Sequence, residues 1–326
     1  MYQRFFGLRE LPFELTPNPK FLFLTPRHNE ALSNLQYGVS SAKSLTVLVG
    51  EAGTGKTTLL RAVLESEENS RVQWVYLNNP LLTREDFVRT LAKRFALGPE
   101  AGRSKSAFVD GLERALAERR KRGETTVLVV DEAQSLSYEL LEEIRLLANI
   151  ETSTEKLLIV ILAGQPEFAE RLNEPGLRQL KQRVALRCEI SPFQIAETAA
   201  YIGSRIRTAG GGAQLFTREA VMTIHEHARG IPRTINVICD NSLLGAFALG
   251  RPHVDREIVL EVVRDFDFRA AEAGDRHVVQ QPAPVLAVPT PAPAPAAREE
   301  VDNVTHVTPA RPVRPRRFAF FGAARS

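Results

Sequence analysis

Cysteine, methionine and tryptophan are scarce in this sequence, and the cysteine scarcity excludes two classes of protein. The 326 residues include two cysteines, two methionines and one tryptophan. Cys188 and Cys239 stand in apolar surroundings without the spacing of metal ligands, so we expect neither a disulfide framework nor a zinc site. This cysteine usage fits a reducing, cytoplasmic setting.

Long apolar runs are also missing. The best candidate, LLGAFALG, falls far short of the ~18 apolar residues that a membrane-spanning helix needs. The first residues, MYQRFFGLRELPF, contain an acid and a proline and lack the charged-then-apolar layout of a signal peptide. We therefore expect no membrane span and no signal peptide.

Basic charge is concentrated at the C-terminal end of the sequence. Residues 303–326 contain five arginines and no acids, and taking these five charges from the formal net charge of +3 leaves residues 1–302 at −2. A nucleic-acid-binding body would need a basic surface, so nucleic acid is not an expected partner, although it stays open. The tail RPVRPRRFAFFGAARS suggests peripheral docking on an anionic membrane face or on a partner, with an unconstrained solvated tail as the alternative.

Apolar runs and amphipathic segments alternate along the first 190 residues. This alternation is typical of a parallel sheet with crossover helices, and continuous apolar strands indicate a sheet that is covered on both faces. The sequence thus predicts an α/β fold with a five-stranded parallel sheet. The predicted strands are 45–49, 72–77, 126–130, 157–162 and 184–189.

Strand signals cease after Pro192, and four helical segments follow, each opened by Ser, Thr, Pro or Asp. We predict a small all-helical domain there. The later stretch QQPAPVLAVPTPAPAPAA is a proline-alanine linker that cannot pack, which predicts a disordered end. The predicted divisions are an N-terminal arm and helix (1–40), the α/β domain (41–190), the helical domain (191–268) and the tail (269–326).

The stretch GEAGTGKTT matches the phosphate-binding pattern G-x-x-x-x-G-K-[ST] and stands between a predicted strand and a predicted helix. Its glycines allow backbone N–H groups to surround a phosphate, its lysine reaches the β- and γ-phosphates, and its Thr57 hydroxyl binds Mg²⁺. The pattern therefore predicts a P-loop nucleotide site. Its residues are Gly50, Glu51, Ala52, Gly53, Thr54, Gly55, Lys56, Thr57 and Thr58.

A second element of this chemistry is TVLVVDEAQ, an apolar strand that ends in two acids. Asp131 is placed to hold the magnesium ion, and Glu132 is placed to activate water as a general base. The acidic pair favours hydrolysis over phosphoryl transfer to a metabolite. The sequence therefore predicts an enzyme that hydrolyses a nucleoside triphosphate with Mg²⁺, with a solvated acidic strand end as the alternative.

From about residue 40 to 266 the layout resembles that of the AAA+ ATPases, in which a helical lid follows the five-stranded domain. In that family a lid arginine reaches the bound phosphates, which the resemblance assigns to Arg233 in the stretch GIPR; the alternative is a helix break with a surface arginine. The resemblance also implies a polar sensor at Gln165, where a capping or turn role stays open. Asn149 is a weaker candidate near the same edge.

The segment LRQLKQRVALRCEISPF resembles the one that carries an arginine finger in ring-forming AAA+ proteins. That resemblance implies a homo-oligomer in which Arg183 stabilises charge on the neighbour's phosphate, with Arg178 as the second choice. A solvated basic helix face is the alternative for both residues.

Several ordered motifs of residues 1–266 resemble the ExeA/GspA-type ATPases of bacterial secretion and envelope machinery. They are FFGLRELPFELTPNPKFLFLTPRHNEALSNLQYGV, LVGEAGTGKTTLLR, VVDEAQSLSYELLEEIRLLANIET and AGQPEF. This resemblance implies an ATPase that serves an envelope export system, in the cytoplasm or at the inner membrane surface. The competing hypothesis is a DNA-transposition regulator or loader-type ATPase.

The resemblance leaves two parts of the chain open. Some members continue into a membrane span and a peptidoglycan-binding domain, which are not visible in this sequence, so direct cell-wall contact is in doubt. The segment before the P-loop encloses adenine in AAA+ relatives, which suggests residues 28–32. For the aromatic residues of the arm, such as Phe5, Phe6 and Phe13, the alternative role is anchoring on the sheet domain.

Overall fold

The chain folds around a parallel β-sheet, and the computed structural model describes residues 1–16, 18–66, 71–78, 82–212 and 214–267. The strands are β1 Leu45–Val49, β2 Val72–Leu77, β3 Thr125–Val130, β4 Leu158–Gly164 and β5 Leu186–Glu189. Their order is β2-β3-β4-β1-β5, and each neighbouring pair is parallel. The predicted five-stranded α/β fold is confirmed.

The contact pattern separates residues 1–275 from residues 276–326, and every described residue belongs to the first unit. The predicted tail, 269–326, lies outside the described residues, and the divisions at 41 and 191 stay predictions. Among the described residues, no helix combines the length and the apolar character that crossing a bilayer requires.

Helices connect the strands and then continue beyond the sheet. In chain order they are α1 Tyr2–Phe5, α2 Pro26–Ser40, α3 Lys56–Leu64, α4 Arg84–Arg94, α5 Lys105–Lys121, α6 Tyr138–Leu147, α7 Pro166–Arg171, α8 Arg178–Arg183, α9 Ile195–Thr208, α10 Arg218–Ala228, α11 Pro232–Ala248 and α12 Arg256–Asp265.

Both faces of the sheet are buried, because successive side chains of each strand point to opposite sides. On one face Val47 and Val160 belong to the core that includes α4, α5 and α6. On the other, Leu48 and Ile161 belong to the core that includes α2 and α3. This arrangement explains the continuous apolar strands of the sequence.

Three strands differ from the prediction by one or two residues at their ends: β3 begins at Thr125, one residue early, and β4 begins at Leu158, one residue late. β4 continues to Gly164, beyond the predicted end at residue 162. β5 begins at Leu186 instead of residue 184, because α8 occupies the chain as far as Arg183. These differences of one or two residues leave the strand order unchanged.

Helices α9 to α12, which we call the lid, form a separate apolar core. Ile206, Ile224, Ile238 and Val259 contribute one buried side chain from each helix. The start signals read from the sequence act as expected: Pro232 stands in the first turn of α11, and the Thr217 hydroxyl caps α10 by accepting the Ala220 N–H at 3.1 Å. The four predicted helices are confirmed.

The N-terminal arm, residues 2–23, packs on the lid and not on the sheet domain. Tyr2, Phe6, Leu8, Phe13 and Phe21 are buried in the same core as the lid helices. Each fully buried aromatic side chain contributes about 1.5–3 kcal/mol. The alternative of anchoring on the sheet domain is therefore wrong, because the four lid helices leave apolar surface that the arm covers.

Polar contacts fix the arm in this position. Arg205 of α9 is 8% exposed, and its guanidinium donates to the Pro12 carbonyl and, at 3.4 Å, to the Glu14 carbonyl. The same group donates to the Tyr201 hydroxyl at 2.7 Å and lies 4.8 Å from the centre of the Phe21 ring. A buried arginine whose donors are used by the arm backbone ties arm and lid together.

Candidate functional site

The P-loop lies between β1 and α3 and takes a conformation that needs glycine. Gly53 and Gly55 have φ of 82° and 103°, in the left-handed region. A Cβ on Gly50 would stand 2.6 Å from Ile190 Cγ1. The loop therefore turns tightly against the end of β5, and α3 begins at Lys56 with its first N–H groups directed to the loop.

Lys56 is directed into the loop. Its ammonium donates to the Gly50 carbonyl at 2.7 Å and to the Glu51 carbonyl at 3.0 Å, and the residue is 5% exposed. Burial lowers the pKa of Lys56, an effect that the nearby Glu132 and Asp131 carboxylates oppose. A phosphate in the loop would provide the counter-charge that the two carbonyls supply only in part.

Asp131 stands at the end of β3 beside the first turn of α3. Its Oδ2 accepts from the Thr57 hydroxyl at 2.9 Å and from the Tyr76 hydroxyl, and its Oδ1 accepts from the Glu132 N–H at 2.9 Å. Asp131 is 5% exposed. A hydroxyl oxygen beside a carboxylate is the hard oxygen donor set that Mg²⁺ prefers, so Thr57 and Asp131 fit the predicted metal role.

Glu132 takes a left-handed conformation with φ of 54° and ψ of 40°. For a residue other than glycine this conformation costs about 1–3 kcal/mol and persists only where the surroundings enforce it. Its Oε2 accepts from the Gln134 side-chain amide and, at 3.4 Å, from the Gln165 side-chain amide. The strained backbone and the two amides together fix the carboxylate at the sheet edge.

Gln165 and Gln134 form one network around that carboxylate. The Gln165 backbone N–H donates to Gln134 Oε1 at 3.1 Å, and Arg171 donates to the Leu136 carbonyl at 3.0 Å, which holds the same turn. Gln165 thus lies beside Glu132, in keeping with the predicted sensor position. Sequence reasoning missed Gln134, although its place two residues after Glu132 was the available signal.

Asn149 does not join this network. It lines a cavity of about 240 Å³ with Phe87, Phe108 and Glu143, and no P-loop residue lines that cavity. The structure therefore separates Asn149, the weaker sensor candidate, from Glu132.

The GIPR stretch lies directly against the P-loop. The Arg233 N–H donates to the Gly53 carbonyl at 3.2 Å, and a Cβ on Gly53 would stand 2.8 Å from Arg233 Cβ. Gly230, with φ of 72°, accepts the Phe193 N–H at 2.8 Å, and a Cβ there would stand 2.0 Å from the Phe193 carbonyl oxygen. Gly53 thus permits the close approach of the lid to the P-loop, and Gly230 permits that of the α10–α11 turn to Phe193. The Arg233 side chain is exposed beside the loop.

The two finger candidates lie on α8, which precedes β5. Arg178 and Arg183 begin and end α8 and are exposed, and among the described residues neither forms an ion pair within 4 Å. Arg183 comes three residues before β5, whereas the P-loop follows the end of the parallel neighbour β1. Arg183 therefore lies toward the edge of the sheet opposite to the P-loop.

His28 connects α2, the P-loop and the start of the lid. Its two ring nitrogens lie 2.7 Å from the Thr25 hydroxyl and 3.2 Å from the Thr54 carbonyl, and its ring centre lies 5.6 Å from that of Phe193. Burial lowers the pKa of His28. The residue holds these three elements together, while a role of residues 28–32 in base binding stays a prediction.

Comparisons with known proteins agree with this geometry. A family model described as "AAA domain" matches residues 39–172. General secretion pathway protein A of Aeromonas hydrophila is 41% identical over 250 residues, which cover 77% of this chain and 46% of that protein. The chain thus spans about half the length of that curated relative.

Solved structures agree on the fold. Cdc6p of Pyrobaculum aerophilum superposes with a TM-score of 0.61 at 19% identity, over 78% of this chain and 70% of that one. The ORC2 protein of Aeropyrum pernix, in ADPNP-ADP complexes, gives a TM-score of 0.60 at 17% identity, over 78% of this chain and 71% of that one. Residues 39–172 thus match an AAA domain, and the chain is similar to general secretion pathway protein A.

Proposed function

We propose that the chain binds ATP with Mg²⁺ and hydrolyses it, and that this cycle drives assembly or operation of a bacterial envelope secretion system. The observation that carries the proposal is the convergence at one sheet edge of Lys56, the Thr57–Asp131 pair and the fixed carboxylate of Glu132. Each is a group that phosphoryl transfer to water requires.

The P-loop holds the phosphates. The N–H groups of residues 50–58 and the start of α3 face the anion, and the Lys56 ammonium exchanges its two carbonyl contacts for phosphate oxygens. Thr57 and Asp131 hold Mg²⁺, which supplies charge neutralisation on the phosphate oxygens.

Glu132 accepts the proton of the attacking water. Its Oε2 is held by Gln134 and Gln165, which leaves Oε1 to face the water as the general base. Gln165 follows β4 and contacts Glu132 directly. The position of its amide therefore changes with the γ-phosphate that is attacked by the water bound to Glu132. This response is the sensor role that we assign to Gln165.

Two arginines complete the cycle from outside the sheet edge. The Arg233 backbone is already attached to Gly53, so a rotation of its exposed side chain brings the guanidinium to the phosphates. Arg183 acts on the nucleotide of an adjacent subunit, because it lies at the opposite edge of its own sheet. We accordingly propose a homo-oligomer with nucleotide sites between subunits.

The link to secretion rests on the relative. Its name places it in a general secretion pathway, and the identity of 41% extends over 46% of that protein. We propose that this chain works at the cytoplasmic face of the inner membrane, with its basic tail as the peripheral contact. Co-sedimentation with anionic vesicles, with and without residues 300–326, tests that contact.

The hydrolysis proposal is tested by ATP turnover measured against protein concentration. We expect specific activity to rise with concentration in the wild type, Lys56→Ala to abolish nucleotide binding, and Arg183→Ala to lose activity by about 10³-fold or more while binding persists. Arg178→Ala tests the second finger candidate, and Lys181→Ala, which removes an exposed cation from the same helix, is the matched control.

Mixing distinguishes the parts of the proposal. Combining Arg183→Ala with Lys56→Ala protein should restore part of the activity, because each contributes the half-site that the other lacks. Turnover that is independent of concentration and unaffected by Arg183→Ala would remove the shared site. Turnover unaffected by Lys56→Ala would remove the ATPase assignment of this loop.

A further inference from the structure

Tyr76 lies on the edge strand β2, one strand away from Asp131. Tyr76 is in register with Val129 of β3, and the Asp131 N–H donates to the Leu77 carbonyl at 2.9 Å, which continues the ladder. The Tyr76 hydroxyl therefore reaches across one strand spacing and donates to Asp131 Oδ2. No feature of the sequence had singled out this residue.

The oxygen that Tyr76 contacts is also the one that binds Thr57. Asp131 Oδ2 accepts from the Thr57 hydroxyl at 2.9 Å, while Oδ1 accepts the Glu132 N–H at 2.9 Å. Hydroxyls from α3 and β2 and the adjacent backbone N–H thus fix the plane of this carboxylate, which is 5% exposed.

We propose that Tyr76 is a positioning residue for the magnesium site. By donating to Asp131 Oδ2, its hydroxyl turns that carboxylate toward Thr57 and increases the affinity of the site for Mg²⁺. This inference rests on the proposed function, since it concerns the same metal. Partners that orient metal-binding carboxylates commonly change metal affinity by about 10–100-fold.

The ring of Tyr76 has a separate, purely structural role. It meets the Trp74 ring edge-on, with ring centres 6.5 Å apart, along the same strand. Phenylalanine would keep this contact and remove the hydroxyl alone. Tyr76→Phe therefore separates orientation of Asp131 from packing of β2.

The experiment is a titration of a fluorescent ADP analogue into Tyr76→Phe at a series of Mg²⁺ concentrations and in EDTA. We expect the Mg²⁺ concentration for half-maximal enhancement of binding to rise about 10-fold, with affinity in EDTA within twofold of wild type. At saturating Mg²⁺, KM for ATP and kcat should return toward wild-type values. Tyr37→Phe, which removes a hydroxyl from the exposed face of α2, is the control.

Two results overturn the inference. A Mg²⁺ response equal to that of the wild type would show that the hydroxyl does not orient the metal site. An equal loss of affinity in EDTA would assign Tyr76 to the structure of the strand. If the wild type itself binds nucleotide without any Mg²⁺ dependence, the proposed function fails as well, so the two failures are distinct.

Discussion

The acidic and the basic functional groups of this protein are held in opposite ways. Asp131 and Glu132 accept hydrogen bonds from neighbours within the sheet domain, and the backbone of Glu132 is held in a left-handed conformation. Arg233 and Arg183 are exposed, and among the described residues neither side chain has an ion-pair partner. The acids are preorganised by contacts within one chain, whereas the roles that we propose for the arginines require movement of the side chain or the lid, or a second copy of the chain.

The largest expected effect concerns the preorganised carboxylate of Glu132. Glu132→Gln keeps the shape of the side chain and removes the proton acceptor, so we expect kcat to fall by about 10²–10⁴-fold with nucleotide affinity unchanged. Single-turnover hydrolysis together with ADP-analogue binding measures both quantities. A kcat within threefold of wild type would remove Glu132 from the role of general base.

The next prediction concerns the lid, to which Arg233 belongs, and its contact with the N-terminal arm. Arg205→Ala leaves two arm carbonyls and the Tyr201 hydroxyl without their buried donor, so we expect the free energy of unfolding to fall by about 2–4 kcal/mol. Urea denaturation measures it, with Arg207→Ala, an exposed arginine on the same helix, as the control. Equal losses in the two variants would mean that Arg205 does not hold the arm.

Replacing the exposed lid arginine Arg233 should affect nucleotide binding and leave stability unchanged. Arg233→Ala should weaken ADP-analogue binding by about 10-fold, or ~1.4 kcal/mol, and leave the melting temperature of the nucleotide-free protein within about 1 °C, because the side chain is exposed. Arg218→Ala, an exposed arginine at the start of α10, controls for loss of lid charge. Unaltered binding would make GIPR a structural turn only.

The smallest expected effect concerns His28, which lies between the P-loop and the start of the lid. The pKa of His28 is lower in the folded than in the unfolded chain, so the unfolded chain takes up the proton first as pH falls through about 6.5. Stability should therefore decrease below that pH, by at most about 1.4 kcal/mol per pH unit. Urea midpoints at pH 7.5 and 5.5 test this, and His28→Gln should show a smaller decrease than the wild type.

Local sequence predicted the parts of the site that are contiguous. The P-loop and the Asp131–Glu132 pair could be recognised because each motif contains its own strand end and its own helix start or turn. Tyr76 and Gln134 could not be recognised as partners of Asp131 and Glu132, since their contacts depend on strand register and on the path of one turn. The predicted position of the arm was wrong for the same reason. Its apolar residues indicated that the arm is buried, but they did not indicate the surface against which it packs.

The arm has a mechanical consequence. Because it is buried in the lid, the chain passes between the lid and the sheet domain at two places, near residues 24–27 and near residues 190–193. The Arg27 guanidinium joins these crossings by donating to the Ser191 hydroxyl at 2.8 Å. Two chain connections restrict the motion of a domain to rotation about the axis that joins them, whereas a single connection also permits twisting. We expect the lid to rotate about this one axis, which would carry Arg233 along a single arc over the nucleotide.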